Sequence, residues 1–214
     1  MSLHAELEAF KKEFLANVPE DVQTLMGNAT RALEASGLAD KALTEGQQLP
    51  DAELINATGE KVQLSDLLNN GPLVITFYRG GWCPYCNLEL RSYQRHLAEI
   101  RDTGATLVAI TPELPDASLS TAEKNELAFE VLSDINAAFA KQLGLVFALP
   151  EELRPVYKSF GIDLEEYNGE GQFELPMAAT FVINGDGVVA SAFVDADYTK
   201  RQEPSEVIAA LKNL

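Results

Sequence analysis

The amino-acid sequence predicts an α/β fold, a three-layer sandwich of helices around a mixed central sheet. Residues 72–78 and 105–111 are runs of apolar, β-branched and aromatic residues, which is typical of strands buried on both faces. Helical segments follow these runs, and such alternation places the strands side by side in one sheet. Residues 178–183 and 188–194 flank the turn sequence NGDG, which predicts an antiparallel hairpin. The predicted sheet therefore contains both parallel and antiparallel strands.

Residues 1–45 are predicted to form a helical N-terminal extension, ahead of an α/β domain at residues 46–214. Apolar residues recur every three or four positions up to Pro19, and a second amphipathic set ends before Gly37. An apolar stripe along a helix needs a surface to pack against. The two helices therefore either cover the α/β domain of the same chain or mediate a homodimer, and the sequence leaves both interpretations open.

The segments between these landmarks are predicted from turns, caps and periodicity. A hairpin is expected around NATGEK, residues 56–61, followed by a short helix capped by Ser65. Pro84 and Gly104 fit the start and the stop of a long helix. The remaining expected elements are helices at residues 118–127, 135–145, 150–161 and 204–214 and a strand at residues 128–134.

The composition limits the classes of partner. The chain has 214 residues, of which 46% are hydrophobic, so it can bury a core. Its 33 acidic and 16 basic residues give a net charge of −17, which repels nucleic acid and anionic membrane surfaces, and neither is expected as a partner. The N-terminus shows no apolar run that fits a signal peptide or a membrane span, so we expect a cytoplasmic protein.

Both cysteines of the chain lie in the stretch FYRGGWCPYC, residues 77–86, as a C-x-x-C pair. In a cytoplasmic protein, where thiols stay reduced, this spacing indicates redox or metal chemistry. The pair follows a buried strand and opens a helix, and open α/β sheets place their chemistry at the carboxyl ends of strands. Cys83 and Cys86 are therefore the predicted catalytic residues.

The helix that begins at Pro84 predicts different environments for the two sulfurs. Cys86 shares one helical face with Leu90 and Tyr93, so we expect it to be buried against the sheet. Cys83 precedes the first turn, so we expect it to be the more exposed sulfur, facing unpaired N–H groups and the positive end of the helix dipole. Such a position lowers a thiol pKa, and the thiolate can attack a disulfide or a peroxide before its neighbour closes an intramolecular disulfide.

Three other interpretations compete with a redox dithiol. A structural zinc site needs four ligands, but the chain has no third cysteine, and His4 and His96 lack a metal spacing to the pair. The two cysteines can also be small buried residues without chemistry. A permanent structural disulfide is disfavoured by the compartment. We expect no metal and no cofactor.

Residues near the pair are secondary candidates. Arg79 is a candidate for stabilising a thiolate or a peroxide oxygen, and Arg91 is a weaker candidate for the same role. Glu89 is expected to be a charge on the helix surface. Gly80 and Gly81 are expected to let the loop turn tightly without a Cβ clash.

The motif FYRGGWCPYCNLELRSYQ, followed by TLVAITPE, FEVLSD and ATFVINGDGVV, resembles the alkyl hydroperoxide reductase and thiol-specific antioxidant family, in its peroxiredoxin-like branch with W-C-P-Y-C. The resemblance covers about residues 45–214 and leaves the helical extension outside. It implies a thioredoxin-like three-layer sandwich and the thiol-dependent reduction of hydrogen peroxide or organic hydroperoxides. It also implies thioredoxin or a similar dithiol as the reductant.

The resemblance gives two templates for the order of attack. The family pattern P-x-x-x-T-x-x-C places its peroxide-attacking cysteine at Cys86, the threonine at Cys83 and the proline at Arg79. An arginine that precedes a late strand in the family corresponds to Ala178 here. The W-C-x-x-C motif instead resembles thioredoxin, in which the first cysteine attacks, here Cys83. The order of attack stays open at this point.

Three functional hypotheses follow, in decreasing order of support. The first is a thioredoxin-dependent peroxidase that cycles through a Cys83–Cys86 disulfide. The second is a thioredoxin-like disulfide oxidoreductase, because the threonine and arginine positions of the family pattern hold other residues. The third is a redox-sensing module without turnover, in which the N-terminal helices respond to oxidation.

Overall fold

The strands of the computed structural model, which describes residues 2–214, form one large sheet and one small ribbon. Met1, the first residue of the predicted extension, lies outside the described residues. The strands are β1 (Glu53–Asn56), β2 (Lys61–Gln63), β3 (Leu73–Phe77), β4 (Thr106–Thr111), β5 (Glu130–Ser133), β6 (Val146–Ala148), β7 (Glu174–Pro176), β8 (Ala178–Ile183) and β9 (Val189–Asp195). The sheet has the order β2-β1-β5-β4-β3-β8-β9, and β6 pairs with β7 in the ribbon.

The central sheet is mixed, as the sequence predicts. β3 pairs in parallel with β4 on one side and antiparallel with β8 on the other, and β4 pairs in parallel with β5. The hairpin around NGDG is the antiparallel pair β8–β9, and the hairpin around residues 56–61 is the pair β1–β2. All five residues of β3 are buried, which explains its unbroken apolar sequence.

Helices cover both faces of the sheet. The helices are α1 (Leu3–Asn17), α2 (Glu20–Ala35), α3 (Leu64–Leu68), α4 (Pro84–Asp102), α5 (Pro115–Lys124), α6 (Ala138–Gln142), α7 (Arg154–Ser159), α8 (Leu164–Asn168) and α9 (Pro204–Lys212). Residues of α4 and α9 share one apolar core with one face of the sheet, and residues of α3 and α6 share a second core with the other face. The predicted three-layer α/β sandwich is confirmed.

The two N-terminal helices pack on the α/β domain of the same chain. Leu3 and Leu7 of α1 are buried in the core that contains α4 and α9. The carboxylate of Glu203, at the start of α9, accepts hydrogen bonds from the backbone N–H groups of Leu3 at 3.2 Å and His4 at 2.6 Å. α2 packs through its apolar side against a third, smaller core formed around α7. The covering interpretation thus describes how both helices lie in this chain.

Two predicted helix starts are wrong. Ser65 lies inside α3, and Gln63 is its N-cap residue. α5 begins at Pro115 rather than at residue 118, because a proline fits the first turn of a helix and Leu114 has the extended backbone of an N-cap.

The helix predicted at residues 135–145 is shorter than expected. The α-helical part covers only Ala138–Gln142, because Asn136 and Ala137 have left-handed backbone angles, with φ of 59° and 51°. The side chain of Asp134 accepts hydrogen bonds from the N–H groups of Phe139 and Ala140, both at 2.8 Å, and so fixes the start of the helix. Periodicity alone does not reveal such a local turn.

The region between the predicted helix at 150–161 and the C-terminal hairpin contains structure that the sequence did not predict. α8 and β7 lie there, and β7 pairs with β6. β6 and β7 have three residues each, too few for a periodic pattern to show. Within residues 2–214, no helix has the length and the apolar character needed to cross a bilayer.

Candidate active site

The loop between β3 and α4 carries the cysteine pair to the carboxyl end of the central strand. Two close contacts explain its glycines: a Cβ at Gly81 would lie 1.9 Å from Oγ1 of Thr121, and a Cβ at Gly80 would lie 2.1 Å from Nε1 of Trp82. Side chains at these positions would push the loop away from its neighbours. The prediction that both glycines avoid a Cβ clash is confirmed.

Both sulfurs of the pair are reduced and buried. Cys83 is the N-cap residue of α4, and Cys86 lies three residues later in its first turn. Each cysteine is 0% exposed, and neither forms a disulfide. The expectation that Cys83 is the more exposed sulfur is therefore wrong, because Arg79 and the side chains packed around it cover this end of the helix.

Arg79 contacts the first sulfur directly. Its Nη2 donates to Sγ of Cys83 at 3.0 Å, and its Nη1 donates to the hydroxyl of Tyr157 at 3.1 Å. The guanidinium carbon lies 4.1 Å from the centroid of the Tyr198 ring and 5.2 Å from that of Trp82. Arg79 is 5% exposed, and it has no carboxylate partner among its contacts in the described chain. Arg79 therefore lies in a position from which it can stabilise a thiolate of Cys83.

The surroundings of Cys83 favour its thiolate. Burial works against the charge most strongly, but the hydrogen bond from Cys86, the charges of Arg79 and Arg201 and the hydrogen bond from Arg79 together hold the pKa of Cys83 well below that of an ordinary thiol. Burial and the neighbouring thiolate raise the pKa of Cys86 well above the ordinary value. Of the two sulfurs, Cys83 is therefore the one that favours the thiolate, and Cys86 is the one that favours the protonated thiol.

A second guanidinium, which the sequence did not reveal, contacts the other sulfur. Nη2 of Arg201, in the segment between β9 and α9, lies 3.4 Å from Sγ of Cys86, and its Nε donates to Oε2 of Glu89 at 2.6 Å. Burial opposes the charge of Arg201, yet attraction to Glu89 and to both sulfurs raises its pKa above the usual range. Arg201 lies 115 positions after Cys86, so no local motif could indicate this contact.

Glu89 is not a surface charge, which corrects the expectation from the sequence. It is 0% exposed, and Thr76 of β3 donates to Oε1 of Glu89 at 3.3 Å. Burial raises the pKa of Glu89 to about 7 against the pull of Arg201. Its position three residues after Cys86 places both side chains on the same inward face of α4, and this spacing was the signal that could have revealed it.

Glu113 is a further buried carboxyl group near the loop. It follows β4 and accepts a hydrogen bond from the N–H of Gly81 at 3.0 Å, and the hydroxyl of Tyr78 lies 3.5 Å from its second oxygen. Burial raises the pKa of Glu113 to about 7, although the Gly81 N–H opposes this shift. Its place directly after a buried parallel strand, at the same sheet edge as the loop, was a usable sequence signal.

Other residues considered in the sequence lie away from the two sulfurs. Arg91 is exposed and donates to the side chain of Asn125 at 3.0 Å. His96 bonds to the backbone oxygen of Ser92 within α4. Ala178 lies in β8 and brings no charge, so Arg79 and Arg201 are the guanidinium groups at the pair. Among residues 2–214, no cluster of three or more histidine, cysteine, aspartate or glutamate side chains has a geometry that could hold a metal ion.

A mixed sheet whose central strand leads into a buried dithiol at a helix N-terminus defines a thiol-dependent oxidoreductase of the thioredoxin-like class. Comparison with known proteins narrows this class. Residues 45–192 match the AhpC/TSA family, which is more than half of the chain. The chain therefore belongs to the AhpC/TSA family.

Relatives and solved structures agree with this assignment. A putative peroxiredoxin of Mycobacterium tuberculosis is 31% identical over 121 residues, which cover 56% of this chain and 79% of the relative. Peroxiredoxin Bcp of Escherichia coli K12 is 28% identical over 103 residues, covering 48% of this chain and 65% of the relative.

The crystal structure of peroxidoxin BcpB from Mycobacterium tuberculosis superposes with a TM-score of 0.64 at 23% identity, covering 80% of this chain and 98% of that chain. Peroxiredoxin Q from Xanthomonas campestris superposes with a TM-score of 0.58 at 20% identity, covering 81% of this chain and 98% of that chain. These structures show that the fold is the thioredoxin-like fold that the resemblance implied. The family expected from the W-C-P-Y-C segment is confirmed, and with it the thiol-dependent peroxidase class of oxidoreductase.

Proposed function

We propose that this chain reduces hydroperoxides by cycling Cys83 and Cys86 between dithiol and disulfide, with a thioredoxin-type dithiol protein as reductant. One observation carries the proposal: Arg79 donates to Sγ of Cys83 at 3.0 Å, and Cys86 lies three residues later in the first turn of the helix that Cys83 caps. The first contact stabilises a thiolate nucleophile. The second places a thiol where it can resolve the oxidised product without a large movement.

The proposed cycle begins at Cys83. Its thiolate attacks the terminal oxygen of the hydroperoxide, so that a sulfur–oxygen bond forms, the O–O bond breaks and the alkoxide or hydroxide leaves with a proton taken from solvent. Cys83 is then a sulfenic acid. The thiol of Cys86 attacks the Cys83 sulfur, its proton joins the departing hydroxyl as water, and a Cys83–Cys86 disulfide remains. A dithiol reductant restores both thiols and is itself oxidised to a disulfide.

The choice of Cys83 as nucleophile departs from the family pattern, which places the attacking cysteine at Cys86. Two features support it. Cys83 is the sulfur whose pKa is lowered, whereas that of Cys86 is raised. Moreover, Arg79, which donates to Cys83, lines two cavities of the structure, whereas Arg201, which contacts Cys86, lines neither of them.

The proposed chemistry also bears on the compartment and on the oligomeric state of the protein. A dithiol reductant is kept reduced in the cytoplasm, so we place the cycle there. The residues named in the site contact one another within one chain, and the homodimer stays a prediction.

The test is peroxide consumption coupled to thioredoxin and its reductase, with single-cysteine variants. The wild-type protein is expected to turn over. Cys86→Ser is expected to consume one equivalent of peroxide and stop as a sulfenic acid that dimedone traps, and Cys83→Ser is expected to react no faster than a free thiol. One-equivalent consumption by Cys83→Ser instead would assign the attack to Cys86. Absence of turnover by the wild-type protein with every peroxide would reject the peroxidase.

Disulfide exchange is the second candidate function, because a C-x-x-C pair with a lowered first pKa also suits it. Burial argues for peroxide: both sulfurs are 0% exposed, which admits a small molecule more easily than a protein disulfide. If the protein reduced insulin faster than peroxide, disulfide exchange would become the favoured function.

A further inference from the structure

An apolar cavity lies between α2 and the segment that leads into α7, and we call it the arm cavity. Its volume is about 210 Å³. Met26, Ala29 and Leu33 of α2 line one side, and Leu149 and Leu153 are among the residues that line the rest. Because α2 precedes residue 45, this wall lies outside the part of the chain that matches the AhpC/TSA family. The cavity is thus a feature that the N-terminal extension adds to the α/β domain.

Arg79 is the charged side chain in the wall of this cavity among residues 2–214. Its Nη2 donates to Sγ of Cys83, and its Nη1 donates to the hydroxyl of Tyr157. A guanidinium carries five N–H donors, and these two contacts do not use them all. Within the described chain, the buried Nε of Arg79 has no hydrogen-bond partner. A buried donor without a partner is unfavourable, so a ligand that brings an acceptor oxygen gains a hydrogen bond here.

The positive charge of Arg79 is balanced by the thiolate of Cys83. Within residues 2–214, no carboxylate contacts this guanidinium, and the rings of Trp82 and Tyr198 lie next to it. When Cys83 enters a disulfide its negative charge is lost, whereas Arg79 stays charged and buried. A buried charge without an opposite charge is unfavourable. The oxidised chain is therefore the state in which Arg79 gains most from a second anion.

We propose that the arm cavity binds a monocarboxylate with an apolar chain, and that it binds the oxidised protein more tightly than the reduced protein. The carboxylate accepts from N–H groups of Arg79 that Cys83 does not use, and the hydroxyl of Tyr157 still has its own proton to donate. The apolar chain fills the rest of the cavity. This ligand is not a substrate, because it contacts neither sulfur and is not consumed.

The volume of the cavity sets the length of the chain. A cavity of about 150 Å³ holds a benzene molecule, so 210 Å³ admits a chain of about six to nine carbons. Octanoate is therefore the probe. Acetate carries the same charge without the chain, and 1-octanol carries the chain without the charge, so the two controls separate the two parts of the ligand.

Binding and oxidation are linked, and this part of the proposal rests on the proposed Cys83–Cys86 disulfide. A ligand that binds the disulfide form tenfold more tightly shifts the dithiol–disulfide equilibrium tenfold toward the disulfide. For this two-electron couple, the shift lowers the reduction potential by about 30 mV. A bound carboxylate thus makes the disulfide harder to reduce and acts as a regulator of the cycle.

The first test titrates octanoate into the oxidised and the reduced wild-type protein. Calorimetry measures the affinity, and the fluorescence of Trp82, the single tryptophan of the chain, reports binding beside Arg79. We expect the oxidised protein to bind octanoate at least tenfold more tightly than the reduced protein does, and at least tenfold more tightly than it binds acetate or 1-octanol. Equal binding of 1-octanol and octanoate would overturn the anion site. Equal affinity of the two oxidation states would overturn the linkage.

The second test separates this proposal from the peroxidase. Cys83→Ser removes the thiolate without any oxidation, and Cys86→Ser is the matched control that keeps Cys83. We expect octanoate to bind Cys83→Ser at least tenfold more tightly than Cys86→Ser, and no turnover is needed for this comparison. Equal affinities would overturn the proposal even if the wild-type protein reduces peroxide. Tighter binding by Cys83→Ser in a chain that reduces no peroxide would support the site and reject the peroxidase.

The third test locates the ligand. Ala29→Leu adds three carbons to the wall of the cavity and is expected to weaken octanoate binding to the oxidised protein by about tenfold. Ala35→Leu is the matched control, because Ala35 lies on the same helix, is exposed and does not line the cavity. Equal affinities of the two variants would contradict the proposal. If Ala29→Leu fails to fold, the comparison of octanoate with 1-octanol on the wild-type protein decides.

Discussion

Each of the two sulfurs is contacted by one buried arginine, and the two arginines differ in how their positive charge is balanced. Arg201, at Cys86, forms a 2.6 Å ion pair with Glu89, and both side chains are 1% exposed. Arg79, at Cys83, has aromatic rings and a tyrosine hydroxyl around it, and within residues 2–214 it has no carboxylate partner. Arg79 lines two cavities, and Arg201 lines neither of them.

Under the proposed cycle, this difference separates a structural end of the pair from a reactive end. A buried charge is tolerated when a fixed opposite charge balances it. Glu89 provides that balance for Arg201. For Arg79 the corresponding charge is the thiolate of Cys83, which a reaction with peroxide removes. In the proposed cycle, the same residue type therefore stabilises the folded chain at one sulfur and activates the nucleophile at the other.

The largest expected effect is on stability, at the Arg201 end. Arg201→Met leaves Glu89 buried without its partner, which is expected to lower the free energy of unfolding by about 3–5 kcal/mol. The double variant Arg201→Met/Glu89→Gln removes both charges and is expected to recover most of this loss. Urea unfolding measures both. A loss below about 1 kcal/mol in the single variant would show that the pair does not hold this end together.

The next effect is on activity, at the Arg79 end. Arg79→Met is expected to lower kcat/KM for peroxide by about 10²–10³-fold, because the thiolate and the developing oxygen charge lose their charged donor. The pKa of Cys83 is expected to rise, so the pH–rate profile moves to higher pH. Stopped-flow kinetics and thiolate absorbance measure the two effects. Arg91→Met is the control, because Arg91 is exposed and donates to Asn125 rather than to a sulfur. An equal loss in this variant would contradict the prediction.

Glu113 is a third buried ionisable residue near the two sulfurs. Its carboxyl group accepts a hydrogen bond from a backbone N–H rather than from an arginine. Its pKa of about 7 lies above the ordinary value of 4.5 because of burial, so the folded state prefers its protonated form. This stability is fully present below pH 4.5 and is lost as the pH rises through 7. The loss from this group amounts to about 3 kcal/mol at most.

Glu113→Gln is expected to remove that part of the pH dependence, because glutamine does not ionise. Urea unfolding at pH 5 and pH 8 compares the variant with the wild-type protein. A wild-type and a variant protein that lose equal stability between the two pH values would show that Glu113 does not titrate in this range.

The smallest effect concerns the attachment of the extension that covers the Arg79 end. Glu203→Gln weakens two hydrogen bonds to the first turn of α1 and is expected to cost about 1 kcal/mol. Hydrogen exchange of the α1 amides is expected to speed up. Glu99→Gln, at an exposed position of α4, is the control. Unchanged exchange in Glu203→Gln would show that α1 is held by its apolar contacts alone.

The parts of the fold that the sequence predicted are those with long, regular patterns. β3, β4 and the β8–β9 hairpin follow from runs of five or more residues, and α4 follows from its proline start and its period. The β6–β7 ribbon has three-residue strands that leave no such pattern. The break before α6 depends on the left-handed backbone angles of Asn136 and Ala137. Neither residue is a glycine, so the sequence gives no signal for these angles.

The sequence predicted only those residues of the site that lie close together along the chain. Cys83, Cys86 and Arg79 lie within eight positions, so one motif contained them all. Arg201 and Glu113 reach the site through folding of distant segments, which a local pattern does not show. The exposure of Cys83 was wrongly predicted because the helix N-terminus was considered without Arg79 and the aromatic side chains that pack over it.

Because both sulfurs are completely buried, oxidation by a peroxide and re-reduction by a protein need different access to the site. A peroxide needs only a small opening to reach Cys83, whereas a protein reductant must bring its own sulfur into bonding distance of a disulfide that is buried inside the chain. Re-reduction therefore requires a larger structural opening than oxidation does. At high reductant concentration the turnover rate should level off at the opening rate of the enzyme itself, independent of how often the two proteins collide.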